Sequence, residues 1–461
     1  MPDAVRNGDF GFWVAHGTQA PPLTPKLTEN LDADVAIVGG GYSGLWTALA
    51  MKRFSPSSRV VVLEAEELGR GASGRNGGWL SAKTVGMRDV LAKTAGRDAV
   101  KEVDGLLEQA MHDIVQLMTD NSIDIDAEHG GWLQIARTKA EAARLQASLR
   151  SYRSWGINED HLRWLDSREL AGEIDISHGV GALSSPDCYR INPLKLLYGM
   201  AGLVLAAGVE IFTRSRVTDI APGRLQVGQS TVTARSIVIA TEGYTVEQPG
   251  RRRDVLPLNS AMIATAPLPE STWASIGWES RAGISGAAHT YFYGQRTADN
   301  RIIIGGRGKP YRFGSRTDHR GEVDTSTIHA LESMLAGLFP NANTLAEYAW
   351  CGVLGVLRDW SPIVEDHGDG IYEIGGYAGQ GVTAAKVAGD SVAALITGTD
   401  IPERRIPWIR SRPRKWEPEP LRWIGANGLY RAYAVADWHE AARGGDRTSP
   451  IARIADRIAG R

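Results

Sequence analysis

Three glycines, Gly39, Gly41 and Gly44, together with a carboxylate at Glu64, are the residues of this sequence whose types and spacing have the clearest chemistry. They suit the capture of a dinucleotide. Gly39 permits a tight turn, Gly41 lets the backbone approach a pyrophosphate, and Gly44 lets a helix lie close against its strand. The helix N-terminus, with Tyr42 and Ser43 in its first turn, then offers amide hydrogens to the anion. Glu64 lies about twenty residues beyond Gly44, where a carboxylate accepts both hydroxyls of an adenosine ribose and disfavours a phosphorylated one. Ala65 follows it. The turn alone does not distinguish FAD from NAD.

Positioning these residues requires a strand, a turn, a helix and a second strand, and the sequence supplies them in that order. Asp34-Val-Ala-Ile-Val38 reads as a buried strand, a helix runs through Leu45, Ala48, Leu49 and Met51, and Ser55-Pro-Ser-Ser ends it before Arg59-Val-Val-Val-Leu-Glu64. A glycine-dense loop follows from Leu68 to Ser81, containing Ser73, Gly74, Arg75, Asn76, Gly77 and Gly78. Its small side chains let backbone amides face a flat or anionic ligand. Ser236-Ile-Val-Ile-Ala-Thr-Glu-Gly243 is another buried strand entering a small-residue turn. Ile371-Tyr-Glu-Ile-Gly-Gly-Tyr-Ala-Gly-Gln-Gly-Val-Thr383 gives a strand, a glycine turn and a helix from near Ala384. Amides at this second helix N-terminus could hold the pyrimidine carbonyls and ribityl hydroxyls of a flavin, a task that a nicotinamide does not pose.

The remaining elements read more coarsely. Apolar spacing predicts one long helix over 90–120 and another over 139–155, with a strand at Gly131–Ala136 between them. Leu258–Thr265, Thr290–Tyr293 and Arg301–Gly305 have strand composition, and Thr297-Ala-Asp-Asn300 is a hairpin turn. On that sheet His289, Tyr291, Tyr293, Arg296 and Arg307 are the polar candidates for a pocket, against a plainer reading of each as an ordinary sheet or surface residue.

Composition narrows the partners. The chain has 461 residues, enough for two or three domains, and 51 basic residues against 53 acidic ones ask for neither nucleic acid nor an anionic membrane. Cys188 and Cys351 are too few for a disulfide framework or zinc site and fit a reducing compartment. The N-terminus lacks a basic segment followed by an apolar one, and no stretch approaches the length of a membrane span, so the expected location is the cytoplasm. The first thirty residues read as an arm pinned by Phe10, Phe12 and Trp13. The tail mixes Arg404, Arg405, Arg410, Arg412, Arg414 and Lys415 with Trp408, Ile409 and Trp416, and is expected to pack across a domain or subunit. A homo-oligomer is compatible with this.

Taken together, these motifs resemble the D-amino-acid-oxidase-type FAD oxidoreductases, a superfamily that includes glycine oxidase, sarcosine oxidase and gamma-glutamylputrescine oxidase. The resemblance extends to about Gly398, and Gly71-Ala-Ser-Gly-Arg-Asn-Gly-Gly78 is most similar to the gamma-glutamylputrescine oxidase branch, where this loop runs beside the isoalloxazine. It implies non-covalent FAD, held by the residues named above together with Val217, Ala240, Thr241 and Gly243, and by Gly376, Gly379, Gln380, Gly381, Val382 and Thr383. The implied fold class is α/β with an α+β second domain: a Rossmann-type FAD domain interleaved with an antiparallel-sheet substrate domain. The expected boundaries are an arm at 1–31, an FAD domain at 32–86, 186–248 and 350–400, a substrate domain at 87–185 and 249–349, and an extension at 401–461.

Departures from the family pattern bear on the substrate. Sarcosine oxidases hold a substrate carboxylate with an arginine and a lysine whose positions here are near Gly78 and at Thr383, and the arginine used by glycine and D-amino acid oxidases corresponds to about Leu354. Neither clamp is kept. An unpaired buried carboxylate is costly, so the resemblance implies oxidation of an amine's carbon–nitrogen bond, primary or secondary and including acylated polyamines, with oxygen or another acceptor taking the electrons. Alternatives are an amino-acid oxidase or dehydrogenase with a different clamp, an NAD(P)H-dependent flavoprotein and a non-catalytic flavin-bound module. Cys351 lies one residue from the position where some members tether flavin, and a one-residue shift in a strand reverses the side chain. Lys83 and Lys386 are candidates for the lysine that promotes reaction with oxygen in sarcosine oxidases, against a plainer solvated reading.

Overall fold

The computed structural model describes residues 5–16, 20–306 and 308–460. Five parallel strands form the centre of the first sheet, in the order Glu210–Phe212, Val60–Leu63, Leu31–Val38, Ser230–Ile239 and Ile371–Gly375. Val35–Val38 and Val60–Leu63 are almost wholly apolar and buried or nearly so, as strands covered on both faces must be. The hairpin Val217–Ala221 and Arg224–Val227 extends the sheet from the first half of Ser230–Ile239, and Ile363–Asp366 closes the other side antiparallel to Ile371–Gly375.

Two helices lie together on this sheet, Tyr42–Phe54 and Gly381–Thr397. They approach tightly at Gly389, where a Cβ would stand 2.8 Å from the Thr47 nitrogen. Helix Pro193–Ala206 packs beside them, capped by the Asn192 side chain, which accepts from the amides of Leu194 and Lys195.

The second sheet has nine strands, in the order Arg6–Asn7, Ala346–Val356, Leu256–Thr265, Ile302–Gly306, Tyr293–Arg296, Gly283–Gly286, Trp132–Ala136, Gly181–Ser185 and Arg163–Asp166. Its pairings are antiparallel except at two places, where Arg6–Asn7 joins Ala346–Val356 and Gly283–Gly286 joins Trp132–Ala136 in parallel. Ile263, Ile302, Ile304, Trp273 and Trp278 lie in a separate core with helix Thr325–Leu338.

Several expectations change in detail. The helix predicted over 90–120 is two, Arg88–Ala95 and Arg97–Asp120, because Gly96 between them adopts φ 85°, which no helix accommodates. Thr290 to Phe292 are loop, and the strand starts at Tyr293. Ala346–Val356 belongs whole to the nine-stranded sheet, so a boundary at residue 350 falls inside a strand.

The described segments near both ends of the chain are packed. Phe12 and Trp13 are buried, Phe10 lies under the Arg70 guanidinium at 3.6 Å, and Trp13 Nε1 donates to the Asn76 carbonyl at 3.0 Å. The tail is not a solvated basic run. Trp408 is fully buried in the larger core, its carbonyl accepting from Val364 N, while Arg410 pairs with Asp359 at 2.6 Å and Arg412 with Glu373 at 2.6 Å. Burial alone would raise the Glu373 carboxyl, but His367, Arg251 and Arg412 hold it down at about 2. Helices Leu421–Arg443 and Pro450–Ala459 then form a hairpin, in which Asp437 accepts from the amides of His289 and Thr290 at 2.8 Å. Among the described residues no helix is long and apolar enough to cross a membrane.

Because Trp408 ties the extension to the nucleotide sheet's core, Trp408→Ala should destabilise the protein by about 3–5 kcal/mol. Its thermal melting temperature should fall markedly, whereas an unchanged melting temperature would mean that the extension contributes nothing to the fold.

Candidate active site

The strand Leu31–Val38, its turn and helix Tyr42–Phe54 open onto a cavity of 360 Å³. The turn depends on the absence of side chains. Gly39 has φ 111°, and a Cβ on Gly44 would fall 1.9 Å from the Gly39 carbonyl oxygen. Gly41 faces Ser73, whose hydroxyl accepts from the Tyr42 amide at 2.9 Å, so the glycine-dense loop is fastened to the helix start. Ser43 shares a hydrogen bond with the Tyr377 hydroxyl at 2.9 Å, which joins the first helix to the last glycine loop.

Glu64 lines the cavity and is half-buried. Its Oε2 accepts from Gly40 N at 2.7 Å and its Oε1 from Glu66 N at 3.0 Å, which leaves each oxygen further acceptor capacity for a ribose hydroxyl. Burial raises its carboxyl above the ordinary range, against the opposing effect of these two amides. Ala65, Ser73, Val217, Ala240, Thr241, Gly379, Gly381 and Val382 also line this cavity.

A second cavity of 270 Å³ adjoins the first, sharing Ala72, Asn76, Leu354, Gly379 and Val382 with it. Gly77, Gln380, Thr383, Tyr291 and Tyr293 line it, with Ser260, Met262 and Gln134. Tyr293 hydroxyl and Ser260 Oγ are 2.7 Å apart. Gly77 and Gly78 are required by closeness: a Cβ on the first would meet the Tyr293 ring at 2.8 Å, and on the second the Gln295 amide at 2.2 Å.

These adjoining spaces fit FAD. A glycine turn at a helix N-terminus and a carboxylate with spare acceptor capacity lie in one cavity, and two glycine loops flank its junction with the other. Two buried hydroxyls, Tyr244 at the first cavity and Thr383 at the second, have no hydrogen-bond partner among the described residues, so both are available to a ligand.

Other expected residues act through packing or face elsewhere. Gly44, Gly74, Gly243 and Gly376 shape the backbone without lining either cavity. Tyr42 turns its hydroxyl to the Pro193 carbonyl at 2.7 Å. Arg75 is fully buried, but its guanidinium donates to the carbonyls of Asp318, His319 and Cys351, tying the glycine loop to the nine-stranded sheet and the segment before it. His289 is held by Glu440 at 3.0 Å, a partner far along the chain, and does not line the flavin cavities. Arg296 is likewise committed, donating to Asn300 Oδ1 and lying 4.0 Å over the Trp273 ring. Arg307 lies outside the described residues.

Cys351 faces the separate core, its sulfur 3.8 Å from Asn259 Oδ1, while its neighbour Gly352 lines the cavity. Burial pushes its thiol up to about 12. Lys386 pairs with Asp390 at 2.9 Å and lines neither cavity, whereas half-buried Lys83 lines the second with its ammonium 5.1 Å over Trp132.

One residue that sequence reasoning passed over stands out. Glu242 lies within the quoted Ala240-Thr-Glu-Gly243 motif, and its signal was a charged residue placed directly after a buried strand. Its backbone has φ 47°, and its carboxylate accepts from Gly376 N at 2.8 Å and Gly355 N at 3.3 Å. Three chain segments meet on it. Burial pushes its carboxyl up to about 7, although the amides of Gly376, Gly355 and Tyr377 favour the charged form. The folded state therefore keeps a proton that the unfolded chain releases near 4.5, so this contribution to stability is complete below that pH and is lost as pH rises to about 7. Glu242→Gln cannot ionise. In flavin-free protein, the melting temperature of the parent relative to this variant should decline across that window and stay level on either side, and a constant difference would contradict the assignment.

Comparison with known proteins agrees with this geometry. Gamma-glutamylputrescine oxidoreductase of Escherichia coli (strain K12) is 29% identical over 394 residues, covering 84% of this chain and 88% of the relative. A probable oxidoreductase OrdL of Rhizobium meliloti (strain 1021) is 25% identical over 395 residues, with coverage of 84% and 88%. Among solved structures, glycine oxidase from Geobacillus kaustophilus superposes with a TM-score of 0.68 at 21% identity, covering 84% of this chain and 100% of that one. Residues 34–395, from the first strand of the turn to the last helix of the nucleotide sheet, match the family described as DAO, FAD dependent oxidoreductase. With the cavities and glycine loops in that same span, the chain belongs to the DAO family of FAD-dependent oxidoreductases.

Proposed function

We propose that this enzyme oxidises the carbon–nitrogen bond of an amine, with FAD held non-covalently. The observation that carries the reading is the lining of the cavity beside the flavin loops. Among the described residues its lining contains no aspartate or glutamate, and of its cations Arg75 is spent on carbonyls while Lys83 lies over Trp132. Thr383 and Leu354 line it at positions where relatives place cationic side chains, so the carboxylate of a simple amino acid would lack a clamp. The name of one relative, a gamma-glutamylputrescine oxidoreductase, supports the same class.

The chemistry supplied by bound FAD is acceptance of a hydride from the carbon next to nitrogen, with oxygen as the final acceptor, giving hydrogen peroxide while the imine hydrolyses. The chain's own residues set the state of the amine. With no carboxylate among its described lining, the cavity gives an ammonium no partner and favours the neutral amine, whose lone pair the reaction needs. The Tyr293 and Ser260 hydroxyls, 2.7 Å apart, offer oxygens to the amine N–H groups and orient it. Tyr291 and Met262 help to keep water from the reacting carbon. Cys351, turned to the opposite face of its strand, forms no tether.

Under anaerobic conditions, primary, secondary or monoacylated amines should bleach the flavin spectrum, at a rate that rises with pH towards the substrate's own pKa, and simple amino acids should not. Bleaching by NADH alone would overturn this reading. Acid denaturation should leave all flavin in the supernatant, and a yellow pellet would contradict the non-covalent assignment.

A further inference from the structure

A third cavity, of 920 Å³, lies between the nine-stranded sheet and the C-terminal extension, and is larger than either cavity at the flavin site. Its inner walls are Leu258 from the sheet and Leu331 and Met334 from helix Thr325–Leu338, and its outer wall includes Trp423, Tyr430 and Ile458. The family match ends at residue 395, so this outer wall is not part of the shared fold.

Charge gives the chamber a sign. Its described lining holds six cationic side chains, Lys309, Arg312, Arg316, Arg358, Arg422 and Arg431, against the single carboxylate of Glu417. Asp318, Asp324, Glu417 and Glu419 engage Arg312, Lys309, Arg358 and Arg422, whereas Arg316 and Arg431 stand exposed without an ion pair among the described residues and supply the excess. An apolar, aromatic space with excess guanidinium suits an amphipathic anion, whose apolar body is buried while its charge meets arginine.

Tyr291 connects this chamber to the reaction, because it lines both the 920 Å³ and the 270 Å³ cavities. The loop that carries it is held by the extension, through Asp437 on the amides of His289 and Thr290 and Glu440 on the His289 ring. The segment that walls the chamber thus also fixes the residue between it and the flavin cavity.

We propose that the chamber binds the far end of an elongated amine substrate, an apolar or aromatic segment ending in an anion, while the amine end passes Tyr291 to the flavin. This rests on the amine reading above. Two probes test it: diaminobutane carrying one acetyl group, and diaminobutane carrying one para-carboxybenzoyl group. In anaerobic flavin bleaching the second should half-saturate at a concentration lower by about tenfold or more. Trp423→Ala and Arg431→Glu, both at exposed positions, should each cut that preference by about tenfold. A third measurement does not depend on turnover. The carboxybenzoyl tail alone, as its methylamide, should quench tryptophan fluorescence saturably in the holoenzyme and bind more weakly to Arg431→Glu. Bleaching by both amines at equal concentrations, with no binding of the tail, would overturn the chamber and leave the amine reading standing. Binding of the tail without bleaching by either amine would instead sink the amine reading, and with it the assignment of the tail to a substrate.

Discussion

The approach of one helix to one strand sets the terms for the rest of the molecule. Helix Tyr42–Phe54 starts so close to its own turn that the Gly39 carbonyl occupies the place where residue 44 would carry a Cβ. That contact aims the helix N-terminus at the cavity and lets the loop at Ser73 fasten onto the first turn. The second helix, Gly381–Thr397, can then lie against the first only because Gly389 adds nothing to its surface. Cofactor capture and core packing are therefore one constraint, since whatever opens the turn also separates the helices.

Around that contact, acidic and basic side chains withdrawn from solvent connect segments far apart in sequence. Glu242 gathers the amides of Gly355 and Gly376, Arg75 reaches the carbonyls at 318, 319 and 351, and Glu373 receives Arg251 and Arg412. Loss of one partner from such a site leaves a desolvated charge, which costs more than the intact interaction contributes. These groups act as fasteners between the two sheets and the extension, and none of them needs to touch the substrate.

What could be read from the sequence follows from this arrangement. Backbone requirements specify residue type and spacing together, so Gly39, Gly41, Gly44, Glu64 and the two later glycine loops were legible along the chain. Side chains in the pocket were not, because their partners are set by the folded structure and many lie far along the chain. His289 and Arg296 had the same surface credentials as Tyr291 and Tyr293, but Glu440 engages the first and Asn300 with Trp273 the second. The break at Gly96 was hidden by a continuous apolar period on both sides of it. The chamber was invisible because its walls come from three distant parts of the chain. That the tail packs was legible in its tryptophans, but its partners Asp359 and Glu373 were not, because they lie about fifty and forty residues away.

The order of strands also has a consequence for how the protein is made. Strand Ile371–Gly375 pairs in parallel with Ile237–Ile239, and helix Gly381–Thr397 lies against Tyr42–Phe54. A ribosome therefore releases the first half of the nucleotide site long before the strand and helix that complete it. Loop closure over such separations is slow, and the half-built sheet exposes an unpaired apolar edge in the meantime. Flavin loading is then a late event in biogenesis, and the supply of cofactor as synthesis ends should govern the yield of active enzyme more than the supply at its start.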